Sequence, residues 1–307
     1  MVDMNTLLDL QITIFFLMMA GYLLTKMKII PADARKGLSG LLINFVLPCN
    51  IIASFMIEFN RSILWDCMII LLVSVCIQIF ASVAGQLFYS KKDPGKLAVL
   101  KYGTIASNAG FMGNPIAEGL YGVQGLLYAS IYLIPQRIVM WSAGITCFTG
   151  ARGKNVLKKI CTHPCIIAVI IGLILMIGQF SLPSGLEQAI RTSSNCTTAV
   201  SMVTIGNILA ETHKSDLLKK ENLWFCLVRL IIFPLIVLAG CMLAGIGQLV
   251  TEVSVVLAGM PAAATTAILA ATYDGDSSFA AGVVFLSTLL SLFTIPMLCV
   301  IMMQVLG

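Results

Sequence analysis

Two arginines, Arg137 and Arg229, stand inside stretches otherwise apolar enough to cross a bilayer. A guanidinium facing lipid at mid-depth costs at least about 2.5–3.5 kcal/mol. Each must therefore face protein, water or a bound anion, or snorkel toward an interface. The structural alternative is a hydrogen bond to backbone carbonyls freed near Pro135 or Pro234. Upstream lies "SNAGFMGNPI" (Ser107–Ile116), and far downstream "AGMPAAATT" (Ala258–Thr266). A proline inside a helix removes one hydrogen bond and clashes with the preceding turn. The freed backbone groups are tolerated at membrane depth only where they meet protein or line a cavity. There a half-helix N-terminus offers partial positive charge to an anion. Asn114, with the half-helix termini near Pro115 and Pro261, is expected to hold a carboxylate. Asn108, Gln136 and Thr265 would complete the polar lining, with Arg137 as counter-charge.

The elements that must position these residues follow from composition. The 307 residues are 59% hydrophobic and only 11% charged, with a mean hydropathy of +0.98. A soluble domain carries about 25% charged residues, so an integral membrane protein is expected. Leu10–Leu24 reads as a first span rather than a cleaved signal, since Asp3 and Asp9 stand where a signal is basic and no small-residue cleavage site follows. Runs of about 20 apolar residues occur at 9–26, 37–57, 63–89, 97–121, 125–149, 162–180, 186–209, 222–245, 252–272 and 278–305. Fifteen of the 19 basic residues then fall on one side, with only Arg61 and Arg191 opposite. That asymmetry predicts both termini outside, in a cytoplasmic membrane.

The two prolines of the interrupted segments, Pro115 and Pro261, are 146 positions apart, close to half the chain. "NFVLPCN" (Asn44–Asn50) is answered about that far downstream by "SSNCTT" (Ser193–Thr198). Five spans per half is odd, so the halves 1–150 and 151–307 must insert with opposite orientation. An all-α fold of ten helices in two inverted five-helix repeats is therefore expected, with broken helices four and nine.

Other chemistries fit poorly. "CTHPC" (Cys161–Cys165) lacks the second half of a zinc site. The ten cysteines lie mostly in apolar segments, where cysteine acts as a small hydrophobe. The two carboxylates of "YDGD", Asp274 and Asp276, sit on one segment rather than on facing helices, unlike a proteolytic dyad. They would bind a coupled cation or proton, or serve as a turn or helix cap. Ser287, Thr288 and Ser291 would ligate sodium or pack between helices. None of the central segments shows a mid-span carboxylate, which argues against antiport through a buried aspartate pair. No H-E-x-x-H is present, and the glycine-rich stretches lack a phosphate loop's Lys and Ser/Thr. No enzyme activity, cofactor, metal or nucleic-acid partner is expected.

"SNAGFMGNPIAEGLYG" (Ser107–Gly122), "AGMPAAATTAILAATYDGD" (Ala258–Asp276), "FLSTLLSLFTIP" (Phe285–Pro296) and the span-two "NFVLPCNIIASF" together resemble the auxin efflux carrier family, over nearly the whole chain. The family includes bacterial transporters and the plant PIN-formed auxin carriers. The resemblance implies a fold like the sodium/proton antiporters and bile-acid symporters. It implies a scaffold of helices 1, 2, 6 and 7 beside a transport domain of helices 3–5 and 8–10, in which the broken helices four and nine cross. It also implies dimerisation through the scaffold. The short loop between spans five and six looks like a compact prokaryotic form. Asn114 stands where an apolar residue is usual in relatives, so substrate preference is expected to differ. The function expected is a secondary carrier exporting a small organic anion, auxin-like or a dicarboxylate, as its transport domain moves elevator-like against the scaffold. The alternatives are a sodium- or proton-coupled importer on the same fold and a non-transporting receptor.

Overall fold

The computed structural model describes residues 4–31, 34–56, 61–89, 94–141, 147–148, 162, 164–210, 219–263, 265–273 and 275–306. These are helical almost throughout, and the described residues hold no strand beyond one isolated bridge. Helix α1 spans Met4–Lys26, α2 residues 34–55, α3 Arg61–Leu87 and α4 Pro94–Ile105. Residues 109–121 form α5 and 123–141 form α6. Gly122 separates them with φ 64° and ψ −157°, a conformation essentially restricted to glycine. Then follow α7 (Pro164–Gly178), α8 (Ser184–Asn195), α9 (Thr197–Ala210), α10 (Lys220–Leu243), α11 (Gln248–Ala258), α12 (Thr265–Thr272) and α13 (Ser277–Leu306).

Four of these helices, α2 (over Gly37–Phe55), α3, α10 and α13, are long and apolar enough to cross a membrane unaided. Their lipid-side residues stay bare: Phe293 is 72% exposed, Trp65 68% and Leu72 61%. A soluble protein seldom leaves so many large apolar side chains uncovered. A bilayer covers them instead, and the chain is an integral membrane protein.

Prolines set the local irregularities. Three helices contain a π turn, Leu42–Val46, Ala109–Gly113 and Val228–Ile232, and each ends two residues before a proline: Pro48, Pro115 and Pro234. A proline ring has no N–H to give and would strike the carbonyl four residues back. The widened π turn relieves that contact while keeping the helix running.

Two groups of helices can be followed by their contacts, and one hydrophobic core runs through both. α1 runs along α9, and α2 lies against α7 and α8. Gly21 of α1 and Gly206 of α9 place the two backbones in direct contact, the close approach that small residues permit between membrane helices. Asn207 Nδ2 donates to Thr25 Oγ1 at 2.9 Å across the same pair. The second group contains α3 to α6 and α10 to α13, with α11 against α5 and α6, and α13 against α4, α11 and α12.

Candidate anion site at the helix crossing

The chain breaks between α4 and α5 at 106–108 and between α11 and α12 at 259–263, and the two breaks meet. The Asn108 N–H donates to Pro261 O at 2.7 Å, and the Ala263 N–H donates to Ala106 O at 3.0 Å. Ser107 and Ala262 thus form an antiparallel bridge, in which each interrupted helix supplies what the other has lost. Close approach rests on small residues. Gly113 leaves no room for a Cβ, which would come 2.6 Å from Leu257 Cδ2.

Each break is held by the second helix after it. Ser107 Oγ donates to Gln136 Oε1 at 2.9 Å, and Gln136 Nε2 donates to Ser107 O at 2.7 Å. The Ala262 N–H donates to Ser287 Oγ at 3.2 Å. Gln136 on α6 and Ser287 on α13 are therefore side-chain substitutes for missing helical hydrogen bonds.

Beside the crossing lies a cavity of about 110 Å³. Ser107, Asn108, Gly110 and Phe111 line it from the first break, and Leu133, Gln136, Arg137 and Met140 from α6. Ala263 and Thr265 come from the second break, and Ile43, Leu47 and Cys165 from α2 and α7. Both helix groups contribute walls. The volume falls well below the ~300–1,000 Å³ of pockets for drug-sized molecules, which suits a small solute. Arg137 is only 6% exposed, and it has no hydrogen bond or ion pair among the described residues; its Nη1 is buried and unpartnered. A buried charge without a counter-charge is costly, and an anion in this cavity would supply one. Thr265 Oγ1 accepts from Tyr102 Oη at 3.1 Å, which steadies that wall.

Comparison with known proteins identifies the lineage. The profile of a membrane transport protein family matches residues 7–158 and 151–299. The chain belongs to that family, the auxin efflux carriers. An uncharacterized transporter of Methanothermobacter thermautotrophicus is 25% identical over 299 residues, covering 95% of this chain and 97% of the relative. An uncharacterized transporter of Methanocaldococcus jannaschii is 26% identical over 304 residues, covering 94% and 97%. The resemblance in "SNAGFMGNPIAEGLYG" and its companions thus extends to a whole-chain relationship.

In this member of the carrier family, the crossing brings together Asn108, Gln136, Arg137 and Thr265 around one cavity, and Pro261 joins them through its carbonyl. Asn114 and Pro115 are not cavity walls. Asn114 is fully buried, with neither amide atom partnered among the described residues. Asp276 caps α13, accepting from the Phe279 N–H at 2.9 Å through Oδ1. Asp274 lies outside the described residues, as do Cys161 and His163. Ser291 Oγ donates to Thr288 O at 2.7 Å and lies 3.8 Å from Met112 Sδ, while Thr288 Oγ1 is buried without a partner among the described residues. Arg229 is buried too, but its guanidinium stacks 4.7 Å from the Phe233 ring centroid, within its own helix.

One group was missed. A half-buried carboxylate, Glu118, accepts a hydrogen bond from Asn50 Nδ2 at 3.2 Å, inside the fourth apolar run. The signal was present, because Glu118 follows Asn114 by four residues and so shares its helical face.

Proposed function

We propose that the chain is a secondary carrier of a small organic anion, working by alternating access. Its ten membrane crossings form two inverted five-helix units. The helix group α3–α6 and α10–α13 moves as the transport domain against the scaffold of α1, α2, α7, α8 and α9. One observation carries the reading: Arg137, buried and unpaired among the described residues, opens onto a cavity walled by both groups. A carboxylate there receives charge-assisted hydrogen bonds from the guanidinium. Asn108 supplies an amide, and the apolar walls from Leu133, Met140, Ile43 and Leu47 accept a short hydrocarbon portion. Because the cavity wall is shared, sliding of one group past the other opens it to each side in turn. An inside-negative potential favours export of an anion, by about 2.3 kcal/mol per charge per 100 mV.

A screen of small mono- and dicarboxylates for thermal stabilisation of the purified protein tests this, because a ligand of the folded state raises the unfolding midpoint. At least one carboxylate is expected to raise it for the wild type and to leave Arg137→Gln unmoved. Equal stabilisation of both proteins would remove Arg137 from the site. A second reading couples the same cavity to sodium or protons, and Glu118 favours it.

A further inference from the structure

Polar chemistry continues beyond the cavity. Asn114 follows the cavity wall Gly110 by four residues, and Glu118 follows Asn114 by four, so these two share a face of α5. On α2, Asn50 comes three residues after the cavity wall Leu47. Asn50 Nδ2 donates both to Glu118 Oε2 at 3.2 Å and to Ser194 Oγ at 3.0 Å. Helices α5, α2 and α8 therefore meet in one polar seam that leads away from the anion cavity. Thr197 follows Ser194 by three residues and Ser201 follows Thr197 by four, and their helix α9 packs on the turn 109–113.

The seam is under-satisfied. Asn50 Oδ1, both amide atoms of Asn114, Thr197 Oγ1 and Ser201 Oγ are all buried with no partner among the described residues. Buried polar atoms are nearly always paired, so a concentration of orphans in one seam calls for a missing partner. Four of the five are oxygens. Together with the Glu118 carboxylate they form an acceptor set of the kind hard cations take.

Among the described residues no basic group is paired with Glu118. The titratable groups on the helices around it include Asp9, Tyr22, Lys26, Cys49, Tyr121, Tyr128, Tyr132, Arg137, Glu187, Arg191 and Glu252. None is hydrogen-bonded or ion-paired to it among the described interactions. Arg191 is bound to Glu187 at 2.9 Å, Glu252 accepts from Gln248 at 2.9 Å, and Tyr128 donates to Asp66 at 2.7 Å. Yet the cavity beside Arg137 invites an anion. Glu118 stands eight residues past Gly110, about 12 Å along the helix. Across that distance, at an effective dielectric of about 20, a bare carboxylate weakens anion binding about tenfold. A cation in the seam removes that penalty.

We propose that Glu118, Asn114, Asn50, Thr197 and Ser201 form a site for a small monovalent cation, a proton or a sodium ion, whose occupancy favours anion binding at Arg137. The function assigned to the seam rests on the anion-carrier reading, but occupancy is measured without any organic anion. Net movement of the anion then follows the gradient of that cation as well as the membrane potential.

The test is the unfolding midpoint of the purified full-length protein, with no carboxylate present. It is titrated with sodium chloride against potassium chloride at constant ionic strength, and separately between about pH 5 and about pH 8. Sodium-specific stabilisation whose apparent affinity falls about 10- to 100-fold in Glu118→Gln and in Asn114→Ala assigns the site to sodium, in line with the usual effect of removing a ligand or its support. Stabilisation on acidification that Glu118→Gln abolishes and Asn114→Ala retains assigns it to a proton. Indifference of the wild type to both titrations overturns the proposal, as does a response that survives Glu118→Gln. The wild-type titrations decide the first point even if Glu118→Gln does not fold. Failure of the anion reading appears only in the carboxylate screen with Arg137→Gln.

Discussion

The two breaks that cross at the centre of the molecule are built from opposite materials. The first, with the turn that follows it to Gly110, is polar and roomy: Ser107, Asn108 and Gly110 face a cavity, and a side chain added at Gly110 would meet nothing within 4 Å. The second, 259–263, is small and tight: Met260 and Ala262 are fully buried, and Ala262 packs 3.6 Å from the Cβ position of Gly103. Both are stabilised in the same way, by each other's backbone and by one side chain from the second helix after the break. Shared backbone chemistry holds the crossing together, whereas most of the polar cavity lining comes from the first arm, with Ala263 and Thr265 joining it from the second. The same contrast separates the two buried arginines, since Arg137 opens onto a cavity and Arg229 rests on an aromatic ring.

The largest effect is expected from the polar arm. Arg137→Gln removes charge-assisted bonds worth about 1.5–3 kcal/mol and so weakens carboxylate binding roughly 10- to 150-fold, read by calorimetric titration. Its unfolding midpoint is expected to hold or rise, because an uncompensated buried charge is lost. Next comes the tight arm. Ala262→Leu overpacks the crossing and lowers stability by about 1–3 kcal/mol, visible as a lower thermal midpoint with or without ligand. Ser287→Ala leaves the Ala262 N–H unpaired and costs about 1–3 kcal/mol for the buried donor. The same measurement checks it, and an unchanged midpoint would deny Ser287 its clamping role. The smallest effect on folding belongs to Gly110→Ala. Its midpoint is expected to stay within about 0.5 kcal/mol of wild type in stability, while carboxylate affinity falls because the methyl group occupies the cavity.

Much of this arrangement was legible in the chain. Composition dictated a membrane protein, and the prolines at 115 and 261 marked where helices must break. The residues expected to line a site, Asn108, Gln136, Arg137 and Thr265, do surround one cavity. The two jobs of a single side chain were not legible. Gln136 is a cavity wall and also the clamp on Ser107, because a break in one helix is repaired from another element that sequence spacing does not reveal. Asp276 proved to be a helix cap, the local role open to any aspartate before a helix. Glu118 escaped notice because it stands near the end of an apolar run, where a carboxylate normally signals the membrane surface. Its partner Asn50 is 68 positions away and only the fold joins them. Asn114 was assigned to the anion from its place beside Pro115, yet it lies a turn past the cavity wall with both amide atoms unpaired.

The central claim is that the crossing carries an organic anion by way of Arg137. Efflux of a radiolabelled carboxylate, chosen by the stabilisation screen, from proteoliposomes with an imposed potential tests it most directly. Saturable flux is predicted for the wild type, together with loss of flux in Arg137→Gln and wild-type behaviour in Arg229→Lys. Undiminished flux through Arg137→Gln would contradict the account.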